Sequence, residues 1–293
     1  MLTEPRPTTR PFALHELVEE TDRGLVYDLS TLMDRRTVLK ALGYTSVTAG
    51  LMSIVACSPG SGASSSAASP TAPSTASSGA SATCDVIPEE TPGPFPGDGS
   101  NGPNVLSQSG IVRQDIRSSF GSSTTTAAGV PLTIKLVIQD ATNACAPMQG
   151  AAVYLWHCDR DGNYSLYSQA ASSENYLRGV QATDGSGVAT FQSIFPACYS
   201  GRWPHIHFEV YRDLEAATDE ANKIATSQIA LPKDGCDRVY ATDGYGSSVQ
   251  TFSRVTLQSD NVFGDDGGIH ELGTLTGDVA SGMTVSLSVP VKA

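Results

Sequence analysis

Residues 205–211 read His-Ile-His-Phe-Glu-Val-Tyr and alternate between polar and apolar side chains. A period of two is the pattern of a β-strand, in which successive side chains point to opposite faces. The imidazoles of His205 and His207 therefore project from one face of the predicted strand. The other face is apolar and carries Ile206, Phe208 and Val210. We expect a half-buried strand whose paired imidazoles are suited to holding a metal ion.

Strand-like alternation recurs through the C-terminal part of the chain. The segments that show it, besides 205–211, are 132–138, 152–157, 188–191, 224–231 and 283–289. Turn signals rich in Gly and Asp separate them, as at 159–162 and 183–187. Many short strands with such turns favour an all-β fold, a β-sandwich with long loops and little helix. Residues 213–223 are predicted to form either one or two helical turns or a long hairpin loop.

The first 56 residues are predicted to be an N-terminal extension and an export signal, separate from the folded domain. Residues 34–40 read Asp-Arg-Arg-Thr-Val-Leu-Lys and resemble a twin-arginine export signal. The apolar run 41–56 would span ~24 Å as a helix, less than the ~30 Å hydrocarbon core of a bilayer. Residues 54–57, Ile-Val-Ala-Cys, resemble a lipobox. We expect an exported protein, extracellular or at the cell surface, with a lipid anchor at Cys57, or a secreted one if that cysteine is not processed.

Residues 57–83 are predicted to be a disordered linker. From 58 to 83 the chain contains only Ser, Ala, Pro, Thr and Gly, with no charged and no aromatic residue. Such a segment buries too little apolar surface to offset the entropy lost on ordering. Residues 84–293 remain as one catalytic domain, long enough for a substantial core.

The net charge of −12 limits the kinds of binding partner that we expect for this chain. Nucleic acids and anionic membrane surfaces are bound through positive patches, so neither is expected as a partner. A membrane would be contacted only through the anchor at Cys57.

Cysteine number gives a further constraint. With Cys57 lipidated, five of the six cysteines remain. Disulfides form readily outside the cytoplasm, but an odd number leaves at least one thiol free or paired between chains. Spacing does not determine the connectivity. A bond between Cys198 and Cys236 is our expectation, because it would brace the loop that carries Tyr199.

Three motifs occur in a fixed order. They read WHCDRDGNYS at 156–165, LRGVQATD at 177–184 and FPACYSGRWPHIHF at 195–208. Their residue types, order and spacing resemble the intradiol ring-cleavage dioxygenases, the catechol and protocatechuate dioxygenases. ETPGPF at 90–95 resembles the Gly-Pro-Phe segment near the substrate pocket of that family. The resemblance covers most of 84–293 and is strongest to the exported bacterial branch, because the helical N-terminal dimerisation region of catechol 1,2-dioxygenases is missing.

The resemblance implies four ligands for one Fe(III) ion: Tyr164, Tyr199, His205 and His207. Phenolate oxygens are hard anionic donors suited to Fe(III), and neutral imidazoles complete the shell without adding charge. The implied reaction cleaves the ring of a catechol-type substrate between its two hydroxyls with O2, giving a muconate-type diacid. No cofactor beyond iron is implied.

The resemblance also implies catalytic roles for Tyr199, Arg202 and Gln228. Tyr199 is the ligand expected to leave when substrate binds. Arg202 corresponds to a cation beside the reacting carbon, where it would stabilise developing negative charge. Gln228 resembles a downstream glutamine of the family.

Two other interpretations stay open. One is a non-catalytic Ig-like or transthyretin-like surface module that binds carbohydrate or protein and holds no metal. The other is a zinc hydrolase that uses His205 and His207, for which Glu209 is the only nearby third ligand. We interpret His157 as a structural histidine. Three further tyrosines are assigned to the core or rim: Tyr154, Tyr167 and Tyr176.

Overall fold

Nine strands and two short α-helices occur in the computed structural model, which describes residues 84–293. The strands are β1 (Pro131–Asp140), β2 (Ala146–Pro147), β3 (Ala152–Trp156), β4 (Arg178–Ala182), β5 (Val188–Ile194), β6 (His205–Tyr211), β7 (Ala225–Ala230), β8 (Thr274–Asp278) and β9 (Gly282–Val291). The helices are α1 (Lys233–Tyr240) and α2 (Gly246–Phe252). The predictions for 1–56 and 57–83 lie outside the described residues.

The strands form two sheets. In the first, β1 pairs with both β2 and β5, and on its other edge with β9, which pairs with β8. Only the β1–β9 pair is parallel among the described strands. The second sheet has the order β4-β3-β6-β7. This arrangement confirms the predicted all-β sandwich with little helix.

A hydrophobic core fills the space between the sheets. Alternate side chains of β1 and β9 meet those of β3 and β6; among them Ile134, Leu136, Leu155, Phe208 and Val285 are fully buried. Complete burial of one such side chain contributes ~1.5–3 kcal/mol, so this layer is the main source of stability. The periodicity of these strands is therefore the part of the sequence that fixes the fold.

Strand β6 is buried at all seven positions, so the predicted half-buried strand is wrong. On its outer face, Tyr211 belongs to a second apolar cluster with Tyr154 and Trp156 of β3. Loop side chains cover that cluster, including Val105, Leu106 and Ile111. Because the covering loop is distant in sequence, the alternation within 205–211 could not reveal it.

Most of the other local predictions are confirmed. Each predicted strand segment is a strand, and residues 213–223 contain two short 3-10 helices, Ala216–Thr218 and Glu220–Asn222. Strands β2, β4 and β8 and both α-helices were not predicted. Strand β4 was not recognised in the sequence because Gly179 and Gln181 interrupt its apolar pattern. Within 84–293 no helix is long and apolar enough to cross a membrane.

The cysteine pairing differs from the expectation. A disulfide joins Cys84 to Cys145, whereas Cys198 and Cys236 are free and buried, so the Cys198–Cys236 prediction is wrong. The Cys198 thiol points towards the carbonyl of Arg202, at 3.5 Å. The bond that does form ties the start of the described chain to the loop after β1.

Candidate metal centre

The candidate site lies on the outer face of the second sheet. Gln228 on β7 stands opposite His207 on β6, and Trp156 on β3 stands opposite the same histidine. Arg178 on β4 in turn stands opposite Trp156. Residues directly opposite each other on neighbouring strands share a face. One row across the sheet therefore carries these four side chains, with His205 two residues away on the same face.

Four donor atoms converge beside the β6 part of this row. The hydroxyl oxygens of Tyr164 and Tyr199 lie 3.3 Å apart. The Tyr199 hydroxyl lies 3.1 Å from Nε2 of His205, which lies 3.1 Å from Nε2 of His207. The structure thus brings together all four predicted ligands, from two separate parts of the sequence.

The turn after β3 holds Tyr164. A carboxylate oxygen of Asp159 accepts hydrogen bonds from the backbone N–H groups of Asp161 and Asn163, both at 2.9 Å. The backbone N–H of Tyr164 donates to the Ser168 hydroxyl at 2.9 Å. Burial, together with the neighbouring Tyr199, raises the pKa of the Tyr164 phenol well above its usual value. This phenol would ionise near neutrality only beside a strong cation.

Tyr199 occupies a different setting, on a tight turn. Its carbonyl accepts a hydrogen bond from the N–H of Arg202, and Gly201 adopts a φ of +82° that favours glycine. Ser200 and Gly201 are exposed, and the Tyr199 side chain is only partly buried, whereas Tyr164 is 3% exposed. Tyr199 is thus the more accessible of the two phenols.

The imidazoles of His205 and His207 are neutral. Burial, with a smaller contribution from the positive charge of Arg202, lowers the pKa of both well below the usual value. Nδ1 of His205 lies 2.6 Å from the carbonyl oxygen of Trp203. A carbonyl oxygen can only accept a hydrogen bond, so Nδ1 carries the proton. The lone pair of Nε2 is therefore directed to the point where the four metal-donor atoms converge. A neutral imidazole is the form that binds metals.

Arg202 is fixed beside the four donors. Its Nε donates to Asp260 at 3.1 Å and its Nη2 to the side-chain oxygen of Gln228 at 2.6 Å. Its Nη1 lies 3.4 Å from Nε2 of His205. Gln228 is itself held by donation to the carbonyl of Thr91 at 2.9 Å. The predicted catalytic residues Arg202 and Gln228 therefore lie in direct contact at the site.

Residues 90–98, here called the strap, cross the outer face of the sheet. Arg178 is 1% exposed and donates to the strap carbonyls of Phe95 and Pro96, at 2.9 and 2.6 Å. The same guanidinium donates to the side-chain oxygen of Ser165 at 3.0 Å. Arg178 thus ties the strap to the turn that carries Tyr164.

Glu209 lies on the same strand face as the imidazoles, but its carboxyl has other partners. Its carboxyl accepts a hydrogen bond from the Tyr211 hydroxyl at 2.7 Å and lies 3.7 Å from Nζ of Lys223. Burial, together with the nearby Asp98, raises the pKa of Glu209 to about 8. Residues 84–293 contain no group of three or more His, Cys, Asp or Glu placed to hold a metal. These contacts give the zinc-hydrolase interpretation no support.

The remaining histidine and tyrosine assignments are confirmed. His157 is 1% exposed and its Nε2 lies 2.7 Å from the Ser193 hydroxyl, as expected of a structural residue. Tyr154 and Tyr176 are buried, and Tyr167 packs against Phe95 at the rim.

Several residues of the site were not predicted. Trp156, Gly93 and Arg178 lie within the motifs, but their contacts with the ligands and the strap depend on the sheet register. Asp260 lies in a loop without a recognisable motif. No sequence signal in this chain pointed to Asp260, because it reaches Arg202 from 58 residues away.

Comparisons with known proteins agree with this geometry. Residues 101–221 match the sequence profile of a family described as dioxygenase. Chlorocatechol 1,2-dioxygenase from Rhodococcus opacus is 46% identical over 55 residues, a stretch covering 18% of this chain and 21% of that protein. The chain therefore spans about a fifth of the length of this curated relative.

Solved structures show the same fold. The intradiol ring-cleavage dioxygenase from Tetranychus urticae superimposes with a TM-score of 0.55 at 23% identity, covering 71% of this chain and 95% of that chain. At this identity the likeness establishes the fold alone. The profile match over residues 101–221 and the motifs that converge at the site support the predicted intradiol ring-cleavage dioxygenase family.

Proposed function

We propose that this chain is a non-haem Fe(III)-dependent intradiol dioxygenase. It would cleave catechol-type rings between the two hydroxyls with O2 to give muconate-type diacids. The observation that carries the proposal is the convergence of Tyr164, Tyr199, His205 and His207 on one point.

The donor set fits a ferric ion. Neighbouring ligands around one metal with bonds of ~2.0–2.1 Å stand ~2.8–3.0 Å apart in an octahedral shell and ~3.3–3.4 Å apart in a tetrahedral one. The separations of 3.1–3.3 Å between the donor atoms lie between these two values. Two phenolates and two neutral imidazoles suit Fe(III) in charge and hardness, and the two phenolates would offset two of its three charges.

A bound Fe(III) would supply the Lewis acidity that makes a catechol dianion reactive towards O2. As a phenolate, Tyr199 would be the group placed to receive one proton from an incoming catechol hydroxyl, because it is the more accessible of the two tyrosines and lies on an exposed turn. Arg202, fixed by Asp260 and Gln228, supplies a permanent positive charge beside the substrate position. A preorganised cation in a buried site stabilises negative charge that develops during reaction.

Oxygen uptake with product identification tests the proposed activity. The purified full chain, supplied with catechol, a chlorocatechol, protocatechuate and hydroxyquinol, should consume O2 with at least one of them. The product should be the diacid from cleavage between the hydroxyls. Tyr199→Phe should slow turnover and His207→Ala should abolish it. Tyr240→Phe, a change at a buried residue of α1 in the main hydrophobic cluster, is the control and should keep activity.

If no catechol in the panel supports O2 uptake by iron-supplemented wild type, the enzymatic proposal fails. A metal-free protein that instead retains a carbohydrate or peptide ligand would support the surface-module interpretation.

We also propose export through the twin-arginine segment and lipid anchoring at Cys57. The sequence around Arg35 and Arg36 supports export, and the Cys84–Cys145 disulfide suits an oxidising compartment. Cell fractionation tests this proposal. Replacing both arginines by lysine should retain the protein in the cytoplasm, and Cys57→Ser should release it from the membrane fraction. Unchanged fractionation of both variants would contradict it.

A further inference from the structure

The two imidazoles of the site are held in different ways. His205 donates from Nδ1 to the carbonyl of Trp203. His207 is 2% exposed, and its Nδ1 has no hydrogen-bonding partner among residues 84–293. Metal-binding histidines almost always use the second ring nitrogen for a hydrogen bond that fixes the ring. The orientation of His207 must therefore come from another source.

Trp156 lies flat against the His207 ring. The two ring centroids are 5.0 Å apart and the planes differ by 4°. Trp156 is 0% exposed and stands directly opposite His207 in the β3–β6 register. Its other neighbour is Tyr154, stacked on it at 5.0 Å, and the Tyr154 hydroxyl donates to the Pro96 carbonyl at 2.7 Å. The indole is thus fixed on a rigid sheet and cannot follow a rotation of the imidazole.

Gly93 of the strap limits the same ring at another point. A β-carbon on Gly93 would stand 3.2 Å from Cε1 of His207. Gly93 also has a φ of +69°, which favours glycine. The strap backbone and the indole together leave the imidazole little room to turn.

We propose that Trp156 is the positioning residue for His207: its stacked indole, in place of a hydrogen bond to Nδ1, keeps Nε2 directed at the other three donors. The part of this proposal that concerns iron rests on the proposed function. Losing an orienting partner of a metal ligand typically costs ~10–100-fold in metal affinity.

The test compares Trp156→Leu, which removes the ring, with Trp156→Phe, which keeps an aromatic face. The first readout is the crystal structure of each variant prepared without metal. In Trp156→Leu the His207 ring should leave its plane, and the separation of 3.1 Å between the Nε2 atoms of His205 and His207 should be lost. In Trp156→Phe the separation should be kept. A His207 ring that stays in place in Trp156→Leu overturns the proposal, whatever the metal content.

The second readout is the rate at which iron leaves the loaded protein in excess chelator. Trp156→Leu should lose iron at least ~10-fold faster than wild type, and Trp156→Phe should stay within ~3-fold. Phe191→Leu, another fully buried aromatic change but on β5 of the other sheet, controls for general destabilisation and should match wild type. If Phe191→Leu loses iron as fast as Trp156→Leu, the faster loss comes from general destabilisation and not from the misplaced His207 ring. If wild type binds no iron, the proposed function fails, and the metal-free crystal structures still decide the role of Trp156.

Discussion

Replacing Asp260 with asparagine should destabilise the protein more than any exposed charge change, because four donors depend on this carboxylate. One oxygen, Oδ2, accepts from Nε of Arg202 at 3.1 Å and from the N–H of Trp203 at 2.5 Å. The other oxygen, Oδ1, accepts from the N–H groups of Val262 and Phe263 at 2.8 and 3.0 Å. Asparagine keeps one acceptor and puts an NH2 group, a donor, in the place of the other.

The structure sets the size of the effect. The side chains of Arg202 and Asp260 are 5% and 0% exposed, so water cannot replace the lost partner. Removing one member of a buried ion pair costs ~3–5 kcal/mol, much of it from the charge left behind. Typical domains have ~5–15 kcal/mol of stability, so the variant should still fold.

Urea unfolding at pH 7, followed by circular dichroism, measures this cost. Asp237→Asn is the matched control, because Asp237 forms an ion pair with Lys233 in which the two side chains are 52% and 68% exposed. Exposed pairs contribute ~0–1 kcal/mol, so the control should lie within ~1 kcal/mol of wild type. The slope of the free energy of unfolding against urea should be the same in all three proteins.

This prediction is wrong if Asp260→Asn costs less than ~1 kcal/mol, or no more than Asp237→Asn. Either result would mean that the Arg202–Asp260 contact contributes nothing beyond an exposed pair, and that Arg202 is not fixed by it.

Three further changes have defined outcomes. Burial, with a smaller contribution from Asp98, raises the pKa of Glu209 from 4.5 to about 8, so its contribution to stability is complete below pH 4.5 and is lost as the pH rises to about 8. Glu209→Gln should therefore flatten the pH dependence of the free energy of unfolding and stabilise the protein at pH 8 by roughly 3–5 kcal/mol. Urea unfolding at several pH values measures this, and a pH dependence equal to that of wild type would contradict it. In Arg178→Lys the single ammonium group cannot reproduce the guanidinium donors that reach both strap carbonyls and Ser165. The change should lower the free energy of unfolding by ~2–4 kcal/mol in the same assay. Stability equal to that of wild type would show that these hydrogen bonds are dispensable. Cys145→Ser removes a disulfide that spans 61 residues and should lower the free energy of unfolding by ~2–4 kcal/mol. Reduction of the wild-type protein should give the same loss. If neither change lowers the stability, the disulfide does not form.

The strands and the four donors could be predicted because their signals are local. Alternation within a strand fixes which side chains share a face, so the pattern of 205–211 alone places both imidazoles together. The family resemblance carried by the motifs then adds Tyr164, Tyr199 and the neighbouring Arg202. The structure brings all of these together.

What could not be predicted depends on contacts between distant segments. The outer face of β6 is covered by a loop from much earlier in the chain, so a strand that reads as half-buried is fully buried. Asp260 approaches Arg202 from a loop near the end of the chain, and Cys84 pairs with Cys145 and not with Cys198 or Cys236. The stacking of Trp156 on His207 needed the strand register, which neither segment specifies alone.

Anomalous X-ray diffraction at the iron absorption edge, from crystals of the purified full chain, shows directly whether the four donor atoms hold iron. We expect one strong peak per chain, within ~2.0–2.3 Å of the hydroxyl oxygens of Tyr164 and Tyr199 and of Nε2 of His205 and His207. Elemental analysis of the same preparation should give about one iron per chain. A well-ordered site without a peak after iron loading, or a peak held by other side chains, would contradict it.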